Sequence, residues 1–64
     1  MKKEWNSQLG NGRDVHYSIE RSEPLWGITA QLRDSVVLHQ AQVKGPKTKQ
    51  EVEAFFRDDL MKEC

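Results

Sequence analysis

A chain of 64 residues is long enough for one small domain, which buries only about 60% of the surface that its unfolded form exposes. Ten basic and ten acidic residues cancel, and this balance argues against binding that relies mainly on phosphate neutralisation. The only cysteine is Cys64, so no disulfide can form within the chain, and a reducing compartment, the cytoplasm, is expected. No apolar run approaches the roughly 18 residues that cross a bilayer, and none follows Lys2 and Lys3 as in a signal peptide.

The spacing of the apolar residues changes once along the chain, at Gly45-Pro46. Before this point they recur mostly at every second position, which indicates strands, and after it at every third or fourth, which indicates a helix. The sequence therefore predicts an α+β fold, in which an antiparallel meander sheet of three or four strands is packed by one C-terminal helix. The predicted single domain divides into a polar tail, a sheet, a linker loop and an amphipathic helix: residues 1–4, 5–43, 44–47 and 48–63.

The first two predicted strands are joined by a strong turn signal. Trp5 and Leu9 lie four positions apart and would share one face of a short edge strand. Residues 10–12, Gly-Asn-Gly, predict a tight turn because Asn and Gly accept positive φ at little cost. The clearest strand follows, because three apolar residues alternate with polar ones: Val15, Tyr17 and Ile19.

The third and fourth predicted strands differ in how well their faces are specified. Residues 22–24, Ser-Glu-Pro, predict a loop, and the third strand then places four residues on one face: Trp26, Ile28, Ala30 and Leu32. A turn at 33–35 leads to a fourth strand over residues 36–43. Its facing stays open, because a slip of one residue exchanges the two faces. One option buries Val37, Ala41 and Val43 together with His39. The other buries Val36 and Leu38.

The helix is the best specified element. Thr48 and Glu51 are spaced as a capping box, in which the Thr48 hydroxyl accepts from the Glu51 amide and the Glu51 carboxylate accepts from the Thr48 amide. Four apolar residues form the stripe that is expected to pack on the sheet: Val52, Phe55, Phe56 and Leu60. Asp59 and Glu63 fall inside the same stripe, so the last turn is expected to lift toward solvent.

Few side chains are spaced for catalysis or metal binding. His16 and His39 could gather with Glu20 on one face of the sheet, although two unrelated histidines are the simpler interpretation. No ligand pair has the close spacing of a zinc site, and no glycine-rich phosphate loop is present. A domain of this size also has little room for a pocket of several hundred cubic ångströms. The sequence therefore predicts a protein that is not an enzyme and that binds no metal or cofactor.

The leading hypothesis for function is a protein-interaction module. The predicted sheet has more apolar surface than one short helix covers, and such a surplus marks a partner interface. The predicted contact residues are three aromatic side chains and one leucine: Trp5, Tyr17, Trp26 and Leu38. The partner would be a larger protein assembly, on which the chain acts as an inhibitor or regulator of the kind that phages and other mobile elements encode. A homodimer joined through sheet faces or edges is a further hypothesis.

The alternative hypothesis is nucleic-acid binding. Lys44, Lys47 and Lys49 cluster around the helix start, where phosphate binds readily, and the three aromatic residues above could stack on bases. Strands followed by one helix, with Lys-Thr-Lys-Gln-Glu-Val-Glu-Ala-Phe-Phe at the junction, resemble the β-β-β-α arm-binding domains of phage-type integrases over residues 26–60. The resemblance implies that the sheet would contact DNA.

Overall fold

A computed structural model describes residues 2–63 as one four-stranded antiparallel sheet followed by one helix. The elements are β1 Lys2–Gln8, β2 Asp14–Ser22, β3 Leu25–Leu32, β4 His39–Val43 and α1 Lys49–Glu63. The strand order is β1-β2-β3-β4, so strands that are neighbours in the chain are neighbours in the sheet. The predicted α+β meander with a C-terminal helix is therefore confirmed, with four strands.

The first strand begins earlier than the sequence predicts. Residues 2–4, expected in a polar tail, belong to β1, where Lys2 pairs with Glu20 and Trp5 with Tyr17. These residues have no apolar alternation of their own, and their strand conformation depends on pairing with the nine-residue β2. The predicted turn at 10–12 is observed, because Gly12 has a φ of 85° and its amide donates to the Leu9 carbonyl at 2.8 Å.

The pairing of β4 with β3 settles which face of β4 is buried. Ala41 lies opposite Ile28 and Val43 opposite Trp26, so Ala41, Val43 and His39 face the helix side of the sheet. The facing that includes His39 is therefore the observed one. β4 begins only at His39, and residues 36–38, predicted as strand, form a loop.

The helix packs one stripe of side chains against β2 and β3. Its buried residues are Val52, Phe56 and Leu60, and they meet six strand residues: Val15, Tyr17, Ile19, Ile28, Ala30 and Leu32. Phe55, predicted in the stripe, is 50% exposed, because it lies about 60° around the helix from Val52, on the side away from Phe56.

The two ends of the helix differ in how well the sequence predicts them. The capping box is confirmed, because the Thr48 amide donates to Glu51 Oε1 at 3.0 Å and the Glu51 amide donates to Thr48 Oγ1 at 3.2 Å. The expectation that the last turn lifts toward solvent was wrong. Leu60 is fully buried, and Glu63 is held by Ser35 and His39. Both of these partners lie far from Glu63 in the chain, so the helical pattern could not indicate them.

The sheet face that is turned away from the helix is polar. Its central residues are hydroxyl, amide and imidazole side chains: Asn6, His16, Ser18, Thr29, Gln31, Gln40 and Gln42. Ser18 Oγ and Thr29 Oγ1 are hydrogen-bonded across β2 and β3 at 2.5 Å. The predicted surplus of apolar surface is therefore absent from this part of the described sheet, because its apolar strand residues alternate onto the helix side.

Candidate protein-docking surface

Two of the predicted contact residues, Trp5 and Tyr17, pack beside the helix. Tyr17 is only 1% exposed, and Trp5 stacks on it with ring centroids 5.6 Å apart. Trp5 Nε1 donates to Glu53 Oε2 at 3.2 Å, and the ammonium of Lys49 lies 5.9 Å from the Trp5 ring centroid. Burial, together with the nearby Glu53 carboxylate, raises the pKa of the Tyr17 phenol. The prediction of Tyr17 as a contact residue is therefore corrected, because its side chain belongs to the core, whereas half-buried Trp5 joins β1 to α1.

The other two predicted contact residues lie in different environments. Trp26 is half-buried on β3 and packs against the core, and Leu38 is 48% exposed in the loop between β3 and β4. Trp5 lies on β1, at the opposite edge of the sheet from this loop. The structure therefore does not gather the four residues into one patch, and only Leu38 among them is largely exposed.

The loop between β3 and β4 presents three consecutive apolar side chains to solvent. Val36 is 97% exposed, and Val37 and Leu38 are each 48% exposed. Sequence reasoning placed these residues in a strand, because a short apolar run after a turn ordinarily indicates a buried strand. Large apolar side chains grouped in this way on a small domain are typical of a contact surface.

A hydrogen-bonded network fixes this loop to the end of α1. The Ser35 hydroxyl donates to Glu63 Oε1 at 2.8 Å, and His39 Nε2 lies 2.5 Å from Glu63 Oε2. The Val37 amide donates to Ser35 Oγ at 3.1 Å, which ties the loop backbone to the same network. The hydrogen bonds from His39 and Ser35 lower the pKa of Glu63, so this carboxylate is ionised at neutral pH.

The order of groups in this network differs from that of a catalytic triad. A serine nucleophile needs a base within reach of its hydroxyl, with the base oriented by a third group. Here the carboxylate of Glu63 lies between Ser35 and His39, so the hydroxyl bonds to the acid and not to the imidazole. The network therefore holds the loop and does not activate Ser35.

The outer edge of β4 adjoins the apolar loop. β4 is the last strand in the sheet order, and within residues 2–63 no further strand pairs with it. Its sequence, His-Gln-Ala-Gln-Val, contains no lysine, acidic residue or proline, whereas the other edge strand, β1, begins Lys-Lys-Glu. Charged side chains protect an edge from pairing with another strand. β1 is therefore protected, and β4 is suited to accept a partner.

Phe55 extends the apolar character of this edge onto the helix. Glu53 binds the β1 side of the sheet through Trp5 and Ser7. At about 100° per residue, Phe55 lies about 200° around the helix from Glu53, which places it on the flank that faces β4. We call the free edge of β4, the loop over residues 36–38 and Phe55 the β4 surface.

The lysines predicted to bind nucleic acid lie near a helix end that already holds a carboxylate. Lys44 and Lys47 are exposed, whereas the ammonium of Lys49 lies over Trp5. The Glu51 carboxylate accepts the Thr48 amide, and this hydrogen bond lowers the pKa of Glu51. A carboxylate at the helix N-terminus repels phosphate. The aromatic residues predicted to stack on bases lie on the helix side, so the open face of the sheet lacks them.

A depression of about 610 Å³ lies on the polar face of the sheet, and this volume is larger than the length of the chain predicts. His16 lines it, with Nδ1 2.9 Å from Asn6 Oδ1 and Nε2 3.2 Å from Glu4 Oε1. His39 faces the opposite side of the sheet, so the cluster with Glu20 does not form and the two histidines are unrelated, as the simpler interpretation has it. Among residues 2–63, no three His, Cys, Asp or Glu side chains gather in a group that could hold a metal ion.

Comparison with known proteins finds no matching family model, and no significant similarity to a curated protein or to a solved structure. In the part of the chain that the structure describes, no helix has the length and apolar character needed to cross a membrane.

Proposed function

We propose that this chain is a non-enzymatic protein-interaction module that docks through the β4 surface. The observation that supports this proposal is the exposure of Val36, Val37 and Leu38, at 97%, 48% and 48%, in a loop that leads directly into an uncharged strand edge. Because the Ser35–Glu63–His39 network already fixes the loop, docking costs less conformational entropy than it would for a flexible loop.

Docking combines strand addition with burial of apolar side chains. An extended segment of the partner adds to β4 as a fifth strand, and its main chain bonds the outward N–H and C=O groups of β4. Full burial of an exposed Val, Leu or Phe side chain contributes about 1.5–3 kcal/mol, and Leu38 and Phe55, which are already about half buried, gain about half of this, so together with Val36 they can supply much of the affinity. The role that we propose is that of a cytoplasmic inhibitor or regulator of a larger assembly, of the type that mobile elements encode.

Affinity capture with matched variants tests this proposal. The chain is immobilised as wild type, as Leu38→Asp, which places a charge in the loop, and as Lys47→Glu, which changes charge outside the β4 surface. Nuclease-treated host lysate is passed over each. We expect a protein that is retained by the wild type and by Lys47→Glu and is lost from Leu38→Asp.

Two other results would contradict the proposal. Equal retention by all three chains would show that the loop makes no contact. Loss from Lys47→Glu alone would instead support binding through the loop that contains Lys44 and Lys47, and material that the wild type captures only from a parallel lysate without nuclease would identify nucleic acid as the ligand. Circular dichroism of each variant controls for folding, since both substituted residues are largely exposed.

A further inference from the structure

We infer that a second copy of this chain is one partner of the β4 surface, and that two copies join by antiparallel pairing of β4 with β4 about a two-fold axis through Ala41. This inference rests on the proposed function, because it assigns a partner to the same surface. A sheet edge holds one neighbouring strand, so the second copy and any other partner compete for it.

The sequence of β4 is close to self-complementary. With Ala41 on the axis, Gln40 of one copy lies opposite Gln42 of the other, and His39 lies opposite Val43. Each glutamine amide both donates and accepts, so a Gln–Gln pair is satisfied without a charged group. A two-fold interface requires this self-complementarity, because the same patch is used by both subunits.

Electrostatics favour the same arrangement. No like charges face one another across the paired strands, since β4 contains no lysine, arginine, aspartate or glutamate. The formal net charge of the chain at pH 7 is zero, so two copies approach without long-range repulsion. β1 carries Lys2, Lys3 and Glu4, and such charged side chains on an edge strand hinder pairing with another strand. The uncharged edge is therefore the one that can self-associate.

Apolar side chains can pack over the helix side of the two paired β4 strands. Ala41 is small, so the two copies of Ala41 at the axis leave space above the sheet. Phe55, which is 50% exposed, lies on the flank of each helix that the helical angle places on the β4 side, from which it can extend over this space. On the polar face, continuation of the same register past the ends of β4 brings Leu38 of one copy toward Lys44 of the other, whose methylene stem can cover it. A contact of a five-residue strand and a few side chains is small, so we expect a micromolar dissociation constant.

Charged substitutions at Gln40 and Gln42 test both the dimer and its register. Both side chains are exposed on the polar face, away from the core, so substitution leaves the fold intact. In Gln40→Lys/Gln42→Lys, lysines face one another at two places across the axis. In Gln40→Lys/Gln42→Glu, each lysine faces a glutamate of the other copy. Molar mass is measured by light scattering from about 5 to about 500 µM, with circular dichroism as the control for folding.

The molar mass of the wild type should rise with concentration from 7.5 kDa toward twice that value. We expect the Lys/Lys variant to dissociate about five- to thirtyfold more readily than the wild type, and the Lys/Glu variant to dimerise at least as tightly as the wild type at low salt. Equal dissociation constants for the two variants would overturn the register.

A wild type that stays monomeric throughout would overturn the dimer. It would leave the proposed function standing, because affinity capture tests that function independently.

Discussion

Truncation of Leu60 to alanine tests whether the last turn of α1 is seated on the sheet. Leu60 is 0% exposed, and Leu→Ala in a packed core costs about 2–5 kcal/mol. At about 0.05–0.15 kcal/mol per residue, a domain of this length has a total stability of about 3–10 kcal/mol. A loss of about 3 kcal/mol lowers Tm by about 12–24 °C. The variant therefore keeps about 0–7 kcal/mol, so its loss of stability is read from the shift of the unfolding midpoint rather than from unfolding at room temperature.

Phe55→Ala is the matched control, because Phe55 lies in the same helix but is 50% exposed. We expect it to cost less than about 1 kcal/mol. Thermal and urea unfolding are followed by circular dichroism at low micromolar concentration, so that self-association does not contribute to the stability of either variant. A cost below about 1 kcal/mol for Leu60→Ala, or equal losses of stability in the two variants, would show that the last turn is not seated on the sheet.

Three further predictions concern the cap and the titrating groups. Thr48→Ala removes the hydroxyl of the capping box and should cost about 1 kcal/mol in urea unfolding; an unchanged midpoint would contradict the cap. The pKa values of Asp34, Glu51 and Glu63 lie below their ordinary values of 3.8, 4.5 and 4.5. As pH drops below these ordinary values the unfolded chain takes up protons first, so stability should fall. A urea midpoint that does not change with pH in this range would contradict this. The pKa of Tyr17, the single tyrosine, is raised, so its phenolate absorbance should appear above pH 10.0 in the folded chain. Stability should fall as pH rises past 10.0, because the unfolded chain loses this proton first. Titration of the folded chain at the ordinary value would contradict the burial of Tyr17.

The parts of the fold that the sequence predicts are those fixed by local spacing. Alternation of apolar residues identifies β2 and β3, because one face of each is buried under the helix. Thr48 and Glu51 mark the helix start, because both hydrogen bonds of the capping box join residues three apart. The Gly-Asn-Gly turn is equally local.

The parts that the sequence does not predict depend on contacts between distant residues. The strand character of residues 2–4 comes from pairing with β2. Glu63 seats the last helical turn because Ser35 and His39, 28 and 24 residues earlier in the chain, bind its carboxylate. The exposure of Val36 follows from where β4 begins, which depends on its pairing with β3. The exposure of Phe55, in contrast, follows from its angle of about 60° from Val52 around the helix, which local spacing gives. The candidate surface is therefore largely a product of tertiary structure.

The claim that β4 is a contact edge is tested most directly by hydrogen–deuterium exchange of the chain at low and at high concentration. We expect backbone amides within His39–Val43 to gain protection as concentration rises, while those of the other edge strand, Lys2–Gln8, exchange at an unchanged rate. Protection that appears at Lys2–Gln8, with His39–Val43 exchanging at the same rate throughout, would contradict it.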